Sequence, residues 1–478
     1  MKAFTTAIAI WMLYLPLLLA QADTVLFTPV AEYPFPAPFS AYTARFDRLG
    51  RPLIYTAGKE NGVVIFDYSN TAAIQPVRTL SVQNFQGLKP TDLIQQGRYL
   101  YVSLGDFEGF PPQRAGLAIV DVENPAQATV LGQWSDTAFN KGSAAVRVDG
   151  DRAYLGAMDK GVVLIDVSIA NAPKYVSHVA LDINWPTPPG LFSVPHARGF
   201  ALRNQELWTC FDAGGLRLVD VSDDKNPVEA VKYINTALDA TAQPAYNTAA
   251  IAGHYLFAAV DYCGFEVVDI TDPAQPQSAV WINPWDCNKS NWDGRPGHTN
   301  QVATACHDSL LFLSGADTEV LAYSIADPLH PHLAGQFGAL KDSIVAWGVD
   351  VNDSLVLLAQ IWSPINSPYV AKKGGIRLLR WSCPATTASP ERNVSSAALT
   401  LTPNPAQEQV TARFNLLVSG VVQWTMFNML GEPVRRETRW LPAGKQAVLL
   451  AVGDLPAGVY LFSVSVGGQM ESRLMVKQ

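Results

Sequence analysis

At 478 residues, 48% of them hydrophobic and only 16% charged, the chain is long enough for a large core plus a second domain, and too apolar to be disordered. Its formal net charge of −8, without any basic run, argues against nucleic acid or an anionic membrane as the main partner. The 33 prolines and 34 glycines are spread along the length, as suits many short strands joined by turns.

The first residues read as an export signal. Lys2 supplies a positive start, Ala7 to Ala20 form an apolar stretch, and Ala20-Gln21-Ala22 fits small-x-small cleavage. Residues 1–22 are therefore expected to be a signal peptide, with the mature chain starting at Asp23 and no transmembrane segment left after its removal. A strand-like segment, Val25 to Tyr33, follows.

From Gly62 to Ser382 one phrase recurs: a Gly or small residue, several apolar-rich positions, often an Asp, then a Pro-bearing turn. It reads GVVIFDYS from Gly62, LAIVDVENP from Leu117, GVVLIDVS from Gly161 and GLRLVDVS from Gly215. GFEVVDITDP from Gly264, EVLAYSIADP from Glu319 and GIRLLRWS from Gly375 continue it. The positions closing each apolar run are Asp67, Asp121, Asp166, Asp220, Asp269, Ser324 and Arg380, spaced by 54, 45, 54, 49, 55 and 56 residues. A period of about fifty residues built only of strands and turns predicts propeller blades.

Each unit expands into four strands, labelled A to D from the propeller axis outward. The third unit runs AAVRVDG from Ala144, RAYLGAM from Arg152, GVVLIDV from Gly161 and YVSHVAL from Tyr175. Alternating apolar positions and β-branched residues favour strands over helices. The last unit has no fourth strand after Ser382, so Val25–Tyr33 is expected to complete it and close the ring. The expected fold is all-β, with a seven-bladed β-propeller over residues 23–383. Residues 384–398, rich in Pro, Ser, Thr and Ala, read as a linker. Residues 399–478 hold several short strands and predict a small Ig-like β-sandwich.

The repeated GxxLVDVSxxxxP cadence resembles the LVIVD-repeat family of exported bacterial β-propellers. The likeness spans roughly Val25 to Ser382; Ser324 and Arg380 depart from it. It implies a propeller and an extracytoplasmic life. In the tail, Pro403-Asn404-Pro405-Ala406, Met429-Leu430-Gly431 and Leu455-Pro456-Ala457-Gly458-Val459-Tyr460, with Lys477, resemble the type A C-terminal sorting domain of the type IX secretion system. That resemblance implies handling by the type IX machinery of a Bacteroidota-like cell. Removal of the tail and release or surface anchoring would follow.

The Asp closing each C strand precedes a Ser-, Asn- or Pro-containing bend, where its oxygens are expected to accept backbone N–H bonds. A second recurrent Asp falls at the B–C turn: Asp106, Asp159, Asp212, Asp261 and Asp317. The B–C and D–A connections share one face of a propeller, around the mouth of the central channel. On that face the long loops carry Phe107, Phe110, Trp185, Trp285, Trp292 and Trp362, rings suited to stacking on sugars or grasping peptide side chains. His196 and His298 start A strands, with Tyr246 and Asn247 on the blade between. These six residues — His196, Tyr246, Asn247, His298 and the paired Trp285 and Trp292 — with Trp185 and Trp362 form the candidate ligand-binding set. Asp286, Asn288 and Ser290 have the oxygen spacing of a calcium loop but lack its glycine and closing glutamate, which leaves a divalent cation as a weak candidate cofactor.

Cys263, in the B–C turn of blade five, and Cys287, in the loop leaving that blade's outer strand, are expected to form a disulfide. The pairing of Cys210, Cys306 and Cys383 stays open. No G-x-S-x-G elbow, H-E-x-x-H pair or phosphate-binding Gly loop occurs, and no catalytic residue is assigned. The reading is a secreted or cell-surface binding protein whose loop face engages a glycan or protein. The alternative is an extracellular metal-assisted hydrolase or lactonase-like enzyme with its site at the channel mouth.

Overall fold

A computed structural model describes residues 24–478 apart from 72, 187–193, 240–244, 285–286, 288–297, 317–318, 340–342, 364–369, 385–398, 417–419, 429–432, 442–443 and 467–468. The expected signal peptide and nearly all of the expected linker lie outside the described residues. The chain divides into two compact units between Pro384 and Ala385.

Among the described residues, the first unit contains seven four-stranded antiparallel sheets, each ordered A-B-C-D. The A strands are Thr43–Phe46, Pro90–Gln96, Ala145–Asp149, Gly199–Arg203, Tyr246–Ala252, His298–Ala305 and Ala346–Val351. Each meets its neighbours in chain order, and the last meets the first, so the ring is closed. This is a β-propeller.

The repeated phrase is the C strand, and burial explains why it stands out. Val63–Asp67 and Val162–Asp166 are buried along all but their last residue, because each blade is packed by a neighbour on both faces. The glycine opening the phrase has its own cause. Gly62 has φ +73°, and a Cβ there would meet the Leu80 carbonyl oxygen at 2.1 Å; Gly215 repeats this with φ +80° against Tyr233.

The outer strand of the seventh blade comes from the N-terminus: Thr28–Phe35 pairs antiparallel with Ala371–Arg380. Its register carries the signature of the other six. In every blade the C–D pairing skips one residue of the D strand, at Val77, Leu131, Val176, Ala230, Ala279 and Ala334. The N-terminal strand skips Val30 at the same place. Such a bulge adds local twist, which lets each outer strand follow the blade's curl. Thr28–Phe35 is thus a D strand in detail, separated from its blade only by chain order.

Other bonds gather at this seam. The Val25 N–H donates to the Ala334 carbonyl of blade six at 2.9 Å. Arg377 reaches Glu32 at 2.6 Å and also pairs with Glu319 of blade six. A disulfide joins Cys306, in the A–B turn of blade six, to Cys383, just past the last C strand, with Cα atoms 5.6 Å apart. Cys263 and Cys287 are also joined, with Cα atoms 5.1 Å apart. Cys210 is a buried free thiol whose pKa burial pushes well up.

In the second unit, Thr400–Thr402, Gln409–Leu416 and Gly444–Ala451 form one sheet. Pro433–Leu441, Gly420–Phe427, Gly458–Val466 and Gln469–Lys477 form the other. Alternate residues of both, including Val410, Phe414, Trp424, Met426, Phe462 and Met475, share one core.

Candidate functional site

The two ends of the propeller use their carboxylates differently. At the C–D end, Asp67, Asp121, Asp166, Asp220 and Asp269 each accept the backbone N–H two residues on, at 2.7–2.9 Å. These are closed Asx turns, and the recurrent aspartate is a structural element of the bend. At the opposite end, three of the B–C aspartates reach side chains of other elements, while Asp317 lies outside the described residues. Asp106 takes Lys59 at 3.1 Å and Lys89 at 2.8 Å. Asp261 lies 2.8 Å from His298 Nε2, and Asp212 lies 3.5 Å from His196 Nδ1.

A run of rings and cations passes around the channel mouth at this end. His298 stacks on Trp347 with ring centres 4.9 Å apart and takes the Tyr262 ring edge-on at 5.4 Å. Trp347 meets Tyr42 at 6.2 Å, and the Lys59 ammonium sits 4.3 Å above the Tyr42 ring. Lys59 is also 5.2 Å from the ring of Phe107, which lies 4.9 Å from the Arg198 guanidinium. The run therefore crosses blades five, six, seven, one and two and ends on blade four. The B–C loop of blade two bridges the last gap. Its Glu108 accepts the Tyr42 hydroxyl at 2.7 Å and pairs with Lys59. Asp106 anchors the loop by accepting the Glu108 and Gly109 N–H groups, both at 3.0 Å. Burial alone would raise the Asp106 pKa; Lys59 and Lys89 outweigh it and hold the carboxyl at about 2. Burial, then the Glu108 charge, pushes the Tyr42 phenol far up, so it stays a donor. At the loop tip Phe110 is 102% exposed, an apolar ring held out in water.

Two family models match the chain. One, the LVIVD repeat, matches residues 91–136, 142–180 and 247–280, which are blades two, three and five. The other, a secretion system C-terminal sorting domain, matches residues 400–478. The chain carries LVIVD repeats and a secretion-sorting tail. Among curated proteins none matches it. A chain in the crystal structure of a mitotic checkpoint complex is similar at 12% identity and a TM-score of 0.52, with 74% of this chain and 91% of that one covered. The WD40 β-propeller domain of Doa1 is similar at 9% identity and a TM-score of 0.47, over 74% of this chain and 97% of that one. These likenesses concern the fold alone. The sorting domain marks the LVIVD propeller for type IX secretion, to the cell surface or beyond it. No helix among the described residues is long and apolar enough to cross a membrane.

The residues singled out from sequence scatter. Tyr246 is wholly buried, and its hydroxyl donates to Glu266 at 2.6 Å. Tyr233 and Asn235 donate to the same carboxylate at 2.7 and 3.0 Å. Tyr246 is therefore placed in the core of blades four and five rather than on the loop face. Asn247 is buried too, its amide donating to the Thr299 carbonyl of the next blade at 3.1 Å. Trp185 lies under the Arg217 guanidinium at 4.8 Å, pinning its own loop. Trp362 is half-buried, its backbone N–H donating to Ser40 Oγ at 2.8 Å. His196 and His298 border the mouth from different blades and are held by different aspartates. Trp285 and Trp292, and the cation candidates Asp286, Asn288 and Ser290, lie outside the described residues. Among the described residues no group of three or more His, Cys, Asp or Glu side chains is placed to hold a metal ion.

Sequence reasoning missed Tyr42, Lys59, Arg198 and Trp347. Their signal was positional: Tyr42 and Arg198 directly precede A strands, Trp347 is the second residue of one, Lys59 lies in a B–C turn, and none belongs to a long loop.

Proposed function

We propose that the protein is a secreted or cell-surface binding protein whose loop face engages a glycan or a protein segment. The run of rings and cations from Tyr262 to Arg198 is the observation that carries this reading. Half-buried aromatic faces at Tyr42, Phe107 and Trp347 are fixed by their neighbours, so stacking a ligand on them costs little conformational entropy. Glu108 and the nearby cations supply polar partners that orient a hydroxylated or charged ligand. Phe110, already in water, gains by being covered.

The test is a glycan and peptide array probed with the mature protein. Capture of a discrete ligand class is expected, weakened at least tenfold by Tyr42→Ala or Trp347→Ala. Capture indifferent to both substitutions would place the binding surface elsewhere.

A further inference from the structure

A cavity of about 540 Å³ runs along the axis of the ring, and its charged lining is unbalanced. Arg45, Arg48, Arg147 and Arg198 face it from blades one, three and four, against Asp92 and Asp350. Arg48 has a carboxylate, Asp350, at 2.7 Å. Arg45 spends one nitrogen on neutral acceptors, Gln301 Oε1 at 3.1 Å and the Val349 carbonyl at 3.0 Å. Arg198 lies over the Phe107 ring and is near enough to Glu108 to lower that carboxyl's pKa. Arg147 has no hydrogen bond or ion pair among the described residues, yet it stands in the middle of an inner strand whose other side is packed.

Such an arrangement is costly on its own. Burial, then the charges of Arg45 and Arg48, push the Arg147 pKa down, which states that its cation is destabilised where it stands. Asp92 and, less, Asp149 offset this only in part, and Asp92 is itself poorly supported. Burial pushes its own pKa up, one oxygen is bonded to the Val146 N–H at 3.1 Å, and the other is buried without a partner. An unpaired guanidinium kept in a half-dry cavity beside two others is the pattern of a residue retained for a ligand.

We infer that the central channel holds an anion-binding site, with Arg147 as the primary donor and Arg45 beside it, for a compact doubly charged oxyanion such as a phosphate or sulfate group. The planar fork of a guanidinium matches two oxygens of a tetrahedral anion, and the low-dielectric walls strengthen the contact. The volume exceeds that of a free phosphate, so the group can be free or carried on a small organic molecule. Arg198 belongs both to this lining and to the end of the run on the loop face, whereas Arg147 and Arg45 lie outside that run.

Calorimetry and thermal unfolding of the mature protein, in buffer free of multivalent anions, test the proposal with inorganic phosphate, inorganic sulfate and acetate. Phosphate or sulfate is expected to bind and raise Tm, with acetate at least tenfold weaker. Arg147→Gln should abolish the anion-dependent shift while melting at or above the parent in anion-free buffer, since it removes the repulsion. Arg147→Lys should retain binding in part, and Arg98→Gln, on the outer surface, should retain it fully. Absence of phosphate and sulfate binding by the parent protein at millimolar concentration would overturn the site. So would an Arg147→Gln variant that binds with unchanged affinity, because Arg147 would then be a structural residue only.

Discussion

Glu32 and Arg377 stand 345 positions apart in the chain and meet at 2.6 Å. Their contact fastens the first strand of the fold to the last C strand, and Arg377 carries the tie onward to Glu319 in blade six. A ring of blades depends on its closure, since an open sheet edge presents unpaired N–H and C=O groups to any other chain.

Removal of residues 23–35 therefore leaves Ala371–Arg380 as an exposed edge. A lower Tm and concentration-dependent aggregation are expected by light scattering. A truncated protein that melts and scatters like the parent would show that closure adds nothing.

The seam disulfide closes a longer loop than its counterpart on the loop face. Cys306–Cys383 spans 77 residues and Cys263–Cys287 spans 24. Chain-entropy arguments give roughly 4.5 and roughly 3.4 kcal/mol respectively. Replacing each pair by serine should lower stability in that order in denaturant titrations, and the reverse order would contradict the seam's role.

Asp47 gives the propeller an acid-sensitive point. Burial would raise its pKa, but Arg51, Tyr55 and Gln95 donate to it and hold it at about 2. A carboxyl depressed from 3.8 to about 2 stabilises the fold above pH 4 and loses that contribution as pH falls towards 2. Asp47→Asn should cost on the order of 1–2 kcal/mol at neutral pH, after allowance for solvent screening. The gap between parent and variant should close between about pH 4 and pH 2 in acid titrations of Tm.

Tyr246→Phe separates core from surface. It removes a donor from the buried Glu266 carboxylate and should cost roughly 1–3 kcal/mol, read as a lower Tm. Ligand capture on the array should be unchanged once the variant is folded.

The two units have separate apolar cores, that of the tail being built wholly from residues 399–475. A protein ending at Pro384 is expected to keep the propeller's melting transition, and a loss of that transition would show that the tail supports it.

The sequence made the C strands plain because packing on both faces demands an uninterrupted apolar run, as in VVLI before Asp166. The D strands spoke faintly: Gln75–Leu80 and Lys174–Val179 are largely exposed, and only the missing fourth strand of the last unit exposed the role of the N-terminus. The site was less legible. His298 was visible as a strand-start histidine, but Trp347 sits inside a strand and looks like core. Tyr246 misleads because its partner, Glu266, is a carboxylate in the middle of the apolar run GFEVVDI, and its burial depends on donors from elsewhere in the chain, Tyr233, Asn235 and Tyr246. Arg147 was on view as the single cation in AAVRVDG. Which side of an A strand faces the axis is set by the assembled ring, and no local pattern states it.

The N-terminal strand also imposes a timetable. Thr28–Phe35 precedes its pairing partner Ala371–Arg380 by nearly the whole length of the propeller, so it leaves the ribosome long before that partner. Through the whole interval the N-terminal strand remains unpaired, because the edge it will occupy does not yet exist. The ring thus becomes complete at one late moment, just before the sorting tail emerges, so a chain that presents its tail has already been given everything it needs to close.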